Sequence, residues 1–113
     1  MKNFFKFLGV LFLLISFIAC SDEPPSFRVK NEYTAKVNFQ IKTTANTENI
    51  NDVQSGTVTD YKEVAEGRVE ITAEIQGLTD EPTGVFNAER DNNYTLVVTN
   101  ENPPKVRIDV SNK

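Results

Sequence analysis

From Phe27 onward, apolar residues fall on every second position in one stretch after another, and a period of two marks strands with one buried face. Phe27 and Val29 begin the series. After the polar Asn31 and Glu32 it resumes with Tyr33, Ala35, Val37, Phe39 and Ile41, while Lys36, Asn38, Gln40 and Lys42 take the alternate face. Two strands are therefore predicted, over 26–31 and 34–43. A helix would scatter the same residues around its circumference. Val69, Ile71, Ala73 and Ile75 alternate with charged and polar neighbours and predict another strand. The segment before it, Gly56 to Val64, reads as its partner across Ala65-Glu66-Gly67, because glycine takes positive φ at little cost and can close a hairpin.

Further along, Thr79-Asp80-Glu81-Pro82 predicts a turn, 85–89 a short strand, and Arg90-Asp91-Asn92-Asn93 a second polar turn. Tyr94 to Thr99 is a β-branched run of strand length, broken by Asn100 to Pro104. Val106, Ile108 and Val110 then alternate with Lys105, Arg107 and Asp109, which predicts an edge strand whose charges discourage pairing with another chain. Tyr94 follows a polar corner, so its hydroxyl is expected to bond back to that turn. Tyr61 is expected to bury its ring and keep its hydroxyl at a sheet margin.

The stretch Thr43 to Gly56 is rich in Asn and Thr, with only Ala45, Ile50 and Val53 to bury. It has two readings. One is a long contact loop carrying Asn46, Glu48, Asn49, Asn51 and Asp52, since long loops in small domains tend to be functional. The other is a short edge strand built on Ile50 and Val53. About seven strands and no helical stretch predict an all-β domain, a two-sheet β-sandwich of antiparallel strands over 27–113, because a single open sheet would leave an apolar face in water.

The chain before this domain follows a different rule. Lys2 and Lys6 precede a nearly unbroken apolar run from Phe7 to Ala19, the pattern of an export signal over 1–19. The run falls short of the ~20 apolar residues that cross a bilayer, which leaves an uncleaved anchor as the lesser reading. It ends at Cys20, the sole cysteine, so no intramolecular disulfide can form. Lipidation, an intermolecular disulfide or a free thiol would each account for it. Ser21-Asp22-Glu23-Pro24-Pro25-Ser26 holds no large apolar residue and two prolines, so 20–26 reads as an acidic, flexible tether.

Phe17-Ile18-Ala19-Cys20 resembles the lipobox of bacterial lipoproteins, and the resemblance implies that Cys20 becomes the first mature residue and carries a diacylglyceryl group. Several acyl chains together would anchor stably, at about 0.8 kcal/mol per buried CH₂. Ser21-Asp22-Glu23 is similar to the surface-export signal of Bacteroidota lipoproteins. That likeness implies an outer-membrane address, with the cell surface and the periplasmic face both open.

Composition narrows the chemistry. The 113 residues hold 12 Lys plus Arg against 16 Asp plus Glu, a net charge of −4. Loss of 1–19 removes two lysines and no acid, leaving 10 basic against 16 acidic residues, or −6, on 94 residues. Such a surface argues against nucleic acid as a partner. The chain has no His, so zinc and haem sites lack their usual ligands, and Ser55 and Ser111 have no imidazole to activate them. Glu70 and Glu74 share the solvent face of one strand, where carboxylates serve solubility. Neither a cofactor nor catalysis is expected. Oxygen ligands for calcium could come from Asp52 with Glu48 and Asn49, or from Asp91 with Asn92 and Asn93, though polar turn chemistry accounts for both groups. No Trp is present to form a sugar-stacking platform.

Arg28-Val29-Lys30-Asn31, Val37 to Ile41, Gly56-Thr57-Val58-Thr59-Asp60-Tyr61 with Val64 and Gly67, and Tyr94-Thr95-Leu96-Val97-Val98 occur in an order that resembles the envelope-protein family called domain of unknown function 4397. The resemblance spans 27–110 and implies an immunoglobulin-like sandwich, with Tyr61, Gly67 and Tyr94 in structural roles. Two functions are in view. The first is a lipid-anchored, non-catalytic binding or structural module of the cell envelope, held to the membrane by its lipid and meeting a protein or glycan there. The second is a periplasmic or secreted accessory carbohydrate-binding domain or small enzyme.

Overall fold

In the computed structural model, which describes residues 23–113, the alternation of apolar residues becomes an alternation of burial. β1 (Ser26–Asn31) turns Phe27, Val29 and Asn31 inward, and β2 (Val37–Lys42) buries Val37, Phe39 and Ile41. β5 (Gly67–Ile75) does the same with Val69, Ile71, Ala73 and Ile75. With β3 (Thr47–Val53), β4 (Lys62–Glu63), β6 (Thr83–Ala88), β7 (Asn92–Val98) and β8 (Val106–Asn112) there are eight strands, and no helix occurs among the described residues. They form two four-stranded sheets, β4-β1-β7-β8 and β3-β2-β5-β6, around one shared core, in a β-sandwich-like arrangement.

Three expectations about the strands change here. First, the sheets are not wholly antiparallel, since β1 and β7 run parallel, from Ser26 opposite Asn93 to Asn31 opposite Val98. Parallel neighbours need a long crossover, and here everything between Asn31 and Asn92, including the whole second sheet, supplies it. Second, the 43–56 stretch is no long loop. Only 43–46 and 54–56 turn, and β3 between them pairs with β2 as the outer strand of its sheet, with Ile50 packed on the core and Val53 buried.

Third, Gly56 to Ile75 is not a hairpin. Segment 57–64 lies along β1, with Thr59 N–H donating to the Val29 carbonyl and Val64 N–H to that of Pro25, whereas β5 belongs to the other sheet. Residues 64–67 are therefore a crossing between sheets. Gly67 makes the crossing with φ of 111°, and a Cβ there would lie 2.9 Å from Thr44 Cγ2. Both conditions favour glycine.

Each open side of the sandwich is closed by a specific contact. On one, β6 meets β8 at Gly84, where a Cβ would come within 2.8 Å of Val106 Cγ1, and Phe86 stacks on Tyr94 at a ring separation of 4.5 Å. On the other, the Lys62 ammonium of β4 reaches Glu48 of β3 at 3.2 Å. The buried Glu48 oxygen makes no well-aligned hydrogen bond, so the ion contact is the interaction that compensates its burial.

Glu23 to Ser26 belong to the folded unit rather than to a free tether. Pro25 and Ser26 are buried, Glu23 N–H donates to Asp91 Oδ1 at 2.9 Å, and Asp91 N–H returns a bond to the Glu23 carbonyl. Lys113 completes the clamp, with its ammonium donating to Ser26 Oγ and its N–H to the Asp91 carbonyl.

Candidate functional site

Of the residues picked out in the sequence, Cys20, Ser21 and Asp22 lie outside the described residues, and Glu23 is the clamped residue above. The five polar residues of the 43–56 stretch separate by the pleat of β3. Asn46 is spent on its own turn, its carbonyl accepting from Thr43 N–H at 2.8 Å. Glu48 turns inward to Lys62. Asp52 takes positive φ at a bulge, donates its N–H to Asn38 Oδ1 at 2.8 Å and pairs with Lys36 at 3.1 Å. Only Asn49 and Asn51 face outward into a shallow depression, which they share with Asn38, Gln40, Thr72 and Glu74.

The three structural residues also have definite places. The buried Tyr94 hydroxyl accepts from Glu89 N–H at 2.9 Å and lies 3.3 Å from the Asn87 carbonyl, so it ties β7 to the turn before it. Gly67 makes the sheet crossing. Tyr61 is placed otherwise than expected, because segment 57–64 runs along the β1 edge and leaves the ring on the outer face, 41% exposed.

That outer face, formed by β1, β7 and β8, holds the more organised group of side chains. β1 presents Arg28 and Lys30 outward because Phe27, Val29 and Asn31 point in. Parallel pairing sets Arg28 beside Thr95, which in turn opposes Asp109, and sets Lys30 beside Val97, which opposes Arg107. Val97 is only 1% exposed although it faces away from the core; flanking long cationic side chains bury their stems in this way. Arg28 Nε donates to Thr95 Oγ1 at 3.0 Å, and its guanidinium carbon sits 4.5 Å from the centroid of the Tyr61 ring. A cation over an aromatic face is attracted by the ring quadrupole, so two separate contacts fix this side chain.

The other cations of this face are held by acids. Lys30 pairs with Glu32 at 3.1 Å, and Arg107 makes a two-point contact with Asp109 at 2.9 and 3.1 Å. The hydrogen bond that Arg107 donates to Asp109, and then the Asp109 charge, raise the Arg107 pKa above its ordinary value. Arg28, Lys30, Tyr61, Thr95, Asp109 and Ser111 together line a depression of about 230 Å³. The sequence shows the outward Arg28 and Lys30, but the parallel pairing that brings them to Thr95 and the edge course that brings Tyr61 join residues far apart in the chain.

These faces can bind through charge and hydrogen bonds. Among the described residues no group of three His, Cys, Asp or Glu side chains is placed to hold a metal ion. The carboxylates considered for calcium are engaged within the fold, Asp52 by Lys36, Glu48 by Lys62 and Asp91 by Glu23 N–H. The chain matches no protein-family model and no curated protein.

Proposed function

We propose that the protein is a lipid-anchored, non-catalytic binding module of the bacterial cell envelope, attached to the outer membrane through Cys20. The observation that carries this reading is the clamp at Glu23: this residue, held to the domain by Asp91, stands three residues after the sole cysteine, which ends the apolar run, so an acyl group on Cys20 would tether the domain directly. The order of strand and turn residues over 27–110 supports an immunoglobulin-like domain akin to the domain of unknown function 4397 family. The acidic Ser21-Asp22-Glu23 supports display at the cell surface over the periplasmic face.

The test is fractionation with a radiolabelled fatty acid. The full chain is expected in the membrane fraction carrying label, and Cys20→Ala is expected to lose the label and become soluble. A soluble, unlabelled wild-type chain overturns the anchor. A second reading, an accessory carbohydrate-binding domain, draws support from the amide-lined depression of Asn38, Gln40, Asn49 and Asn51, because side-chain amides match the paired donors and acceptors of sugar hydroxyls.

A further inference from the structure

Most cations of the described residues have a carboxylate partner. Lys30, Lys36, Lys62, Arg68, Arg90, Lys105, Arg107 and Lys113 all make ion pairs. Arg28 and Lys42 make none. Lys42 is exposed at the end of β2, whereas Arg28 is partly buried and held by Thr95 and Tyr61. Holding a long side chain in one geometry sacrifices rotamer freedom, and here that is done without an acid to receive the charge. Thr95 uses the Nε–H, which leaves the edge made by the two terminal nitrogens unoccupied. Such an edge offers two parallel N–H donors and matches a planar carboxylate.

The surroundings select among anions. Lys30, the nearest other cation on the strand, is already neutralised by Glu32, and Asp109 lies on the rim of the same depression. Asp109 is in turn paired with Arg107, so one positive charge, that of Arg28, is available here, which a monoanion matches and a dianionic phosphate exceeds. The remaining lining offers the Ser111 hydroxyl, the Asp109 carboxylate as an acceptor, and the apolar Val110. This mixture suits a ligand whose carboxylate sits on a ring bearing hydroxyl groups.

We propose that the outer face of β1, β7 and β8 binds an acidic sugar, a hexuronate unit of a polysaccharide, with its carboxylate bidentate on Arg28 and its hydroxyls directed to Ser111 and Asp109. Tyr61 is the positioning residue, since its ring holds the guanidinium plane. This deepens the binding reading given above and does not rest on the anchor, so fractionation of Cys20→Ala and the titration that follows fail independently.

The test is calorimetric titration of the full chain in neutral detergent with a galacturonate tetrasaccharide, with its carboxyl-reduced neutral counterpart, and with a tetraglutamate peptide. The acidic sugar is expected to bind, and the neutral sugar at least about tenfold more weakly, as for loss of a charge-assisted bidentate pair. The peptide is expected to bind more weakly than the acidic sugar, because it keeps carboxylates but lacks the ring hydroxyls that meet Ser111 and Asp109. Arg28→Lys keeps the charge but loses the fork, and should weaken binding by about tenfold. Tyr61→Leu, at an exposed position, should weaken it with an unchanged thermal midpoint, which keeps the test valid should Arg28→Lys disturb the fold. Lys42→Gln should leave binding unaltered. The proposal is overturned by no binding, by equal binding of the neutral sugar or of the peptide, by wild-type affinity in Tyr61→Leu, or by an equal loss in Lys42→Gln, which would mark unspecific attraction.

Discussion

Asn31 is fully buried at the end of β1, and every polar atom of its side chain is used. Its amide nitrogen donates to the Ala35 carbonyl at 2.8 Å and the Val53 carbonyl at 2.9 Å, and its oxygen accepts from Tyr33 N–H at 2.9 Å. Its own backbone binds Gly56 and Thr57, so three segments converge on one residue. Asn31→Ala would leave the buried Val53 carbonyl and the partly buried Ala35 carbonyl and Tyr33 N–H without this partner, and a loss of about 2–4 kcal/mol is expected from chemical denaturation. An unaltered midpoint would mean that water replaces the amide. Tyr94→Phe keeps the ring on Phe86 and removes only the hydroxyl, so a smaller loss, about 1 kcal/mol, is expected in the same measurement. The inward parity of Asn31 is legible in the sequence, because it continues the series Phe27 and Val29. Its partners are not, since nothing local to Asn31 points to Val53.

At the scale of elements, the sequence shows strands wherever one face is apolar and fails where the face is mixed. β3 illustrates the failure: Glu48 and Ile50 both point toward the sandwich and the outward positions are Asn, so its alternation is masked, and the strand exists because β2 offers it a pairing edge. Segment 57–64 fails for the opposite reason. Its composition suits a strand, but its partner is β1 rather than β5, and a choice between two available edges is a tertiary matter. Gly84 shows what such edges demand of a single residue. Gly84→Ala would set a methyl group 2.8 Å from Val106 Cγ1 and force β6 from β8. A loss of about 1–3 kcal/mol is expected from thermal or chemical unfolding, typical of an overpacked site. Val106→Ala in the same chain should recover part of it, and purely additive losses would place the strain elsewhere.

For the molecule as a whole, two sheets around one core follow from the number of one-faced strands, and that much the sequence supports. The parallel β1–β7 pair does not follow, because it joins strands that lie on either side of the whole second sheet in the chain, and residue pattern does not say which remote strands pair. The clamp of Glu23, Asp91 and Lys113 is likewise a meeting of remote segments. Asp91 has φ of 65°, so Asp91→Gly keeps the turn and removes only the carboxylate that accepts from Glu23. Hydrogen exchange at the Glu23 amide is expected to quicken by about fivefold, the equivalent of one ordinary hydrogen bond, while exchange at Val97 stays constant. Equal protection at Glu23 before and after the change would show that the clamp does not hold there.

That clamp also sets Glu23 and Lys113 side by side, which makes the order of strands along the chain separable from their order in space. Residues 23–113 could be rejoined by a short linker from Lys113 to Glu23 and opened instead within the exposed 79–81 turn, at the opposite end of the strands. Such a circular permutant would begin with β6 and finish with β5, and its parallel pair would be drawn from a β7 made before β1. Because adjacent ends tolerate this operation, the permutant is expected to refold to the same two sheets.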